Sequence, residues 1–132
     1  TDEFDTKSLS GKQPFHRPRK LFAGPCMKLI HREILGDRRF DKRFRNSEDS
    51  LYMFAVSDRM KWADFTSPSA VYYRRFREGS AVTSRRTLRQ KFSNAFRIIW
   101  EETKLYFGRF PRYSFVFFTT RVLGALRGAI ED

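Results

Sequence analysis

The side chains in this sequence with the most chemistry to offer are its arginines. They come in three groups: Arg38, Arg39, Arg43 and Arg45; Arg74, Arg75 and Arg77; and Arg85, Arg86 and Arg89. A guanidinium is always charged and presents a planar fork of donors, so grouped arginines suit phosphate oxygens, carboxylates and anionic head groups. In the first group the basic residues alternate with Phe40 and Phe44. An RNA partner would use that pattern for phosphate contact and base stacking, and an assembly partner would use it for pocket-filling phenylalanines beside charge pairs. Tucking both rings inward under a solvated basic face is the third possibility. Arg85, Arg86, Arg89 and Lys91 load the first turns of a predicted helix with positive charge, against the helix dipole, which points to an anionic partner there.

Other chemistry is sparse. Cys26 is the single cysteine, which excludes an internal disulfide, and with only His16 and His31 beside it no zinc set is available. His31 lies beside a predicted apolar face and reads as a core or boundary residue. Asp58 and Asp64 are six apart and off one helical face, so they do not form a general acid and base pair. Asp58 falls within an apolar stripe, where an ion pair with an arginine at the edge of the core is expected. There is no phosphate-cradling glycine loop and no strand-turn-helix nucleophile pattern. The expectation is a non-enzyme without cofactor or metal.

Composition agrees with a binding role. The 132 residues carry a formal net charge of +12. Residues 11–45 hold eleven cations against three acids, and residues 69–100 hold eight against one. Such blocks imply a polyanionic setting: RNA, anionic lipid, or acidic faces of other protein subunits. The 15 Phe, 5 Tyr and 2 Trp exceed what one small core readily hides, so an extended shape that shares its core with neighbours is expected.

The elements that position these residues read as all-α. Residues 1–24 lack periodicity and contain Gly11, Pro14, Pro18 and Gly24, which predicts an irregular N-terminal arm bearing the basic cluster His16, Arg17, Arg19 and Lys20. A single helical domain over 25–132 follows, with about five helices at roughly 25–35, 47–65, 68–78, 83–107 and 112–130. Gly24-Pro25 opens the first, with Met27, Ile30 and Ile34 on one side and Gly36 as its stop. Asn46 or Ser47 followed by Glu48 and Asp49 starts the second, whose apolar side is Leu51, Phe54, Ala55, Trp62 and Phe65. Ser67-Pro68 starts the third, and Thr83 or Ser84 caps the fourth.

In the fourth helix Phe92, Phe96, Ile99, Trp100 and Phe107 recur at helical spacing, opposite Asn94, Arg97, Glu101 and Lys104. In the fifth, Phe115, Phe118, Val122 and Leu126 form an apolar ridge, opposite Arg121, Gly124 and Gly128. Gly124 and Gly128 are four apart and permit close approach of another backbone, from a partner helix or from the same domain. Arg121 interrupts this segment near its middle, so it does not make a comfortable bilayer span.

These features fit an accessory subunit of a large membrane-associated complex, contacting other protein subunits and anionic lipid, better than any other class. The alternative is a ribosomal or other ribonucleoprotein component that binds rRNA through the basic blocks. That alternative leaves the aromatic C-terminal forty residues without a purpose. The chain starts at Thr1 with no hydrophobic signal region, which makes a mature form after loss of a targeting segment the expectation. The expected place is the mitochondrion, peripheral to the inner membrane, in a respiratory or ATP-synthase complex.

Overall fold

A computed structural model describes residues 11–15, 17–44, 46–67, 69–73 and 87–130. The described chain is mostly helical, with four α-helices and a two-stranded sheet: β1 Gly11–Pro14, α1 Arg32–Leu35, α2 Glu48–Val56, β2 Trp62–Phe65, α3 Leu88–Gly108 and α4 Phe115–Ile130. Short 3-10 turns occupy Arg19–Ala23 and Ser57–Arg59.

The expected irregular arm and the expected second helix are both altered by one long-range pairing. β1 and β2 run antiparallel with Gly11 opposite Phe65 and Pro14 opposite Trp62. Residues 62–65 are therefore extended, whereas a helix to 65 was predicted. The helix ends early because its own polar residues take the backbone groups that continuation would use. Ser57 Oγ donates to the Phe54 carbonyl at 2.7 Å, and the chain leaves the 3-10 turn through an extended Met60.

The predicted helix over 25–35 shrinks to α1. Met27 sits at a φ of 59°, a left-handed conformation that no helix passes through, and only one turn forms after His31. His31 is exposed, not a core residue, and its Nδ1 accepts the Glu33 amide at 3.4 Å as the cap. Gly36 stops the turn at a φ of 53°; a Cβ there would meet Arg59 Nη1 at 2.5 Å. Residues 69–73 are not helical, against the predicted helix over 68–78, whose remaining positions lie outside the described residues.

The two long helices form as an antiparallel hairpin. Thr87, not Thr83 or Ser84, caps α3; its Oγ1 accepts the Gln90 amide at 3.3 Å while Gln90 Oε1 accepts the Thr87 amide at 3.0 Å. Both expected caps lie outside the described residues. Reciprocal capping satisfies two amides that a helix start otherwise leaves open. Thr87→Ala is expected to cost about 1 kcal/mol, read as a lowered denaturation midpoint with unchanged slope. The turn after Gly108 contains Pro111, and Ser114 Oγ accepts the Phe117 amide at 3.2 Å to open α4.

The core lies between this hairpin and α2. Met53, Phe54 and Val56 of α2 are fully buried, and Phe54 stacks on Tyr113 and Phe117 with ring centroids 4.9 and 5.8 Å apart. Phe15, just past β1, meets Phe117 edge-on, so the sheet closes the end of the core. A smaller cluster of Phe44, Leu51 and Ile98 joins α2 to α3.

Candidate interaction surfaces

The orientation of α3 departs most from the sequence reading. Its buried residues are Ala95, Ile98, Glu102 and Tyr106, spaced three or four apart along one face. The aromatic stripe read from the sequence is turned outward, as an extended chain that shares its core with neighbours would have it: Phe92, Phe96, Trp100 and Phe107 are exposed, Trp100 at 63%. The inner face mixes the apolar Ala95 and Ile98 with Glu102 and with Tyr106, which belongs to the main core. On α4 the two sides are mixed. Phe117 and Ala129 are buried and Arg121 points inward, while Phe115, Val116, Leu123 and Ile130 are exposed. Of the predicted ridge, Phe118 stacks on Tyr106 at 4.6 Å, Val122 and Leu126 are half-buried, and Phe115 is exposed. Both helices turn one flank to the α2 layer and carry their large apolar side chains on the flank facing away from it.

Arg121, read as lying opposite the apolar ridge of its helix, is the centre of an internal polar site. Glu102 is completely buried, and its Oε1 accepts Arg121 Nε at 3.0 Å and Nη2 at 2.7 Å. Arg121 Nη2 also donates to Ser50 Oγ, joining all three core helices. Glu102 Oε2 has no hydrogen-bond partner among the described residues. Burial pushes the Glu102 carboxyl above its ordinary range, although the charge and hydrogen bonds of Arg121 act the other way. The spacing of Ala95, Ile98 and Glu102 was the available signal for this face, but it is weaker than the aromatic stripe beside it.

Gly124 and Gly128 face open space. A Cβ at either position would meet nothing within 4 Å, so they do not pack against their own domain. They line a groove of about 430 Å³ whose other walls include Ser47, Ser50, Lys91, Asn94 and Arg121. Asn94 Nδ2 donates to Ser47 Oγ across its end at 3.3 Å. The groove offers a smooth glycine floor with polar groups at its sides.

The arginines in the described residues are mostly engaged within the chain. Arg38 forks onto Asp58 at 2.5 and 2.7 Å, meeting the expectation that Asp58 pairs with an arginine. Arg39 is exposed and donates to the carbonyls of Gly36 and Arg38. Arg43 grips Asp41 and reaches Glu101 at 3.4 Å; its hydrogen bonds hold the Asp41 carboxyl down at about 2. Arg97 covers the Phe44 ring at 4.8 Å, so that phenylalanine is buried beneath a cation. Phe40 instead stacks, half-exposed, on Tyr52. Arg89 is exposed in the first turn of α3. Arg45, Arg74, Arg75, Arg77, Arg85 and Arg86 lie outside the described residues.

Among the described residues no group of three or more His, Cys, Asp or Glu side chains is placed to hold a metal ion. No described helix is long and apolar enough to cross a membrane. Comparisons with protein-family models, with curated proteins and with solved structures find no match to this chain.

Proposed function

We propose that the chain is a non-catalytic accessory subunit of a large membrane-associated complex, a mitochondrial respiratory or ATP-synthase complex, and is itself peripheral to or associated with the inner membrane. The observation that carries this reading is the outward aromatic face of the α3–α4 hairpin. A monomer in water gains nothing from exposing Phe96, Trp100, Phe107 and Phe115 on one side of a two-helix layer. Covering a large apolar side chain fully is worth about 1.5–3 kcal/mol, so this face holds ample free energy for assembly. Its role is to stabilise an assembly, and the groove floored by Gly124 and Gly128 supplies a second contact, for a helix of another subunit. Internal pairing of Arg38 and Arg43 weighs against an RNA-binding role for that basic segment.

The test is sedimentation of a tagged copy from membranes of its source cells in mild detergent, with and without ribonuclease. Migration with a detergent-solubilised complex that survives ribonuclease is the expected result. Migration with ribosomal particles that ribonuclease disperses would overturn the reading in favour of rRNA binding. Imaging the same copy against inner-membrane and matrix markers tests the compartment.

The glycine floor gives a separable prediction. Gly124→Leu with Gly128→Leu meets no intramolecular obstacle at Cβ and replaces two poor helix formers, so the fold is retained or slightly stabilised. The double variant is expected to keep its circular dichroism and thermal midpoint yet to fall out of the complex. Retention in the complex would remove the groove as a contact.

A further inference from the structure

The outer face of the hairpin differs from its inner face in charge as well as in size. Between residues 88 and 130 there are eight Lys and Arg but only two carboxylates, Glu101 and Glu102. Both carboxylates are withdrawn from the outer face. Glu102 is completely buried, and Glu101 is paired with Arg43 and Lys104 on the side towards residues 41–44. Among the described residues the outer face is therefore apolar with a margin in which cations predominate, Glu101 lying behind Lys104. Arg89 lies at the start of α3, Lys104 lies beside Trp100 with its Nζ 6.0 Å from the ring centroid, and at the turn Arg112 is exposed beside Arg109, which is half-exposed and also reaches Asp58.

We propose, on the reading that the chain works at a membrane, that this face rests on an anionic phospholipid bilayer. The hairpin would lie in the plane of the interface, with Phe92, Phe96, Trp100 and Phe107 of α3 and Phe115 and Leu123 of α4 entering the acyl boundary. Charge complementarity selects this occupant. A helix with large aromatics on one side and Lys or Arg at its borders is the arrangement that lies at a bilayer surface, where the cations meet lipid phosphates. Lys and Arg reach the head groups through their long stems while their apolar neighbours sit deeper. A flat acyl surface also accepts a broad two-helix layer without a matching concavity, and neither helix is suited to span.

The experiment uses the 132-residue chain and vesicles of two compositions, pure phosphatidylcholine and an equal mixture with phosphatidylglycerol. The chain is expected to sediment with the mixed vesicles and to remain in the supernatant with the neutral ones. Trp62→Phe leaves Trp100 as the sole tryptophan; its emission is expected to shift to shorter wavelength on binding and to be quenched by brominated acyl chains. Phe92→Ser with Phe96→Ser, both exposed and outside the core, is expected to weaken partitioning by roughly tenfold or more.

Equal binding to both vesicle types, or no binding to either, would overturn the inference. So would binding without the Trp100 shift, which would mean that charge alone holds the chain. Two failures are distinguishable. Ribonuclease-resistant migration with a complex, combined with no vesicle binding, keeps the accessory role and assigns the aromatic face to a protein neighbour. Vesicle binding with no complex does the reverse.

Discussion

Arg121→Ala is expected to destabilise the fold by about 3–5 kcal/mol, measured as a fall in the urea denaturation midpoint. Among the described residues Arg121 is the sole hydrogen-bond partner of the Glu102 carboxylate, through two bonds to Oε1. The variant leaves a completely buried carboxyl beside an empty guanidinium site. Either the charge stays and carries its desolvation cost, or the group takes up a proton, itself a cost at neutral pH. A double variant, Glu102→Leu with Arg121→Leu, separates the two sources of loss. It deletes the pair and fills the space with apolar atoms, so it should recover most of the stability. A loss of less than about 1 kcal/mol in Arg121→Ala, the range of exposed pairs, would mean that water reaches Glu102.

The pH dependence has a definite sign. Burial raises the Glu102 carboxyl in the folded chain, so the folded state holds its proton more tightly than the unfolded one. Stability from this group is complete below the ordinary glutamate value of about 4.3 and is lost as pH rises through the raised folded value. Removing Arg121 takes away the one influence that opposes this rise. The gap between Arg121→Ala and the parent should therefore be widest near neutrality and should begin to close while the pH is still above the ordinary carboxylate range.

How far the sequence carried the fold is best judged on α3 and α2. The long C-terminal helices were legible because local propensity and 3.6-residue periodicity act along one segment. Which face of α3 turns inward was not legible. A stripe of Phe92, Phe96 and Trp100 has the larger apolar moment, and in a chain with one interior it would be buried. Here the interior is formed by the stripe of Ala95, Ile98, Glu102 and Tyr106, because Glu102 meets Arg121 and Tyr106 stacks on Phe118 across the hairpin, contacts that no local pattern reports. The end of α2 was missed for a different reason. Trp62 and Phe65 continue a helical pattern, but their partner strand lies at Gly11–Pro14, some fifty residues away, and no local signal reports such a pairing.

The candidate sites divide in the same way. Asp58 was legible as a paired acid because a carboxyl within an apolar stripe must find a cation. Arg121 was read only as lying opposite the apolar ridge, and nothing in its own helix marks Glu102, nineteen residues earlier, as its partner. Gly124 and Gly128 were read as a close-packing pair; within the described chain the space over both is open, so packing by a partner helix rests on the proposal above. Several arginines grouped as anion sites were read from density alone, which does not distinguish a cation facing outward from one already held by Asp58 or Asp41.

Asp58→Ala should also cost about 3–5 kcal/mol, with a pH profile that differs from that of Arg121→Ala. The Asp58 side chain is 3% exposed and joins three stretches that are distant in sequence. Arg38 brings in the segment after Gly36, Asp58 itself closes the 3-10 turn behind α2, and Arg109 reaches from the hairpin turn to Oδ2 at 3.5 Å. Its removal strands the largely buried Arg38 guanidinium. Asp58→Asn keeps the size but gives up the charge and one accepting oxygen, so an intermediate loss is expected. Burial alone would raise the Asp58 carboxyl, but the Arg38 hydrogen bonds and the charges of Arg38, Arg109 and Arg59 together bring it below its ordinary value. Its contribution to stability is thus fully present above the ordinary aspartate value of about 3.9 and is lost as pH falls through the lower folded value. In thermal unfolding from neutral to strongly acid pH, the gap between Asp58→Ala and the parent should hold constant through the range in which the Arg121→Ala gap is closing. It should shrink only at lower pH. Closure of both gaps at the same pH would mean that the two carboxyls feel the same surroundings, against a buried Glu102 and a cation-clamped Asp58.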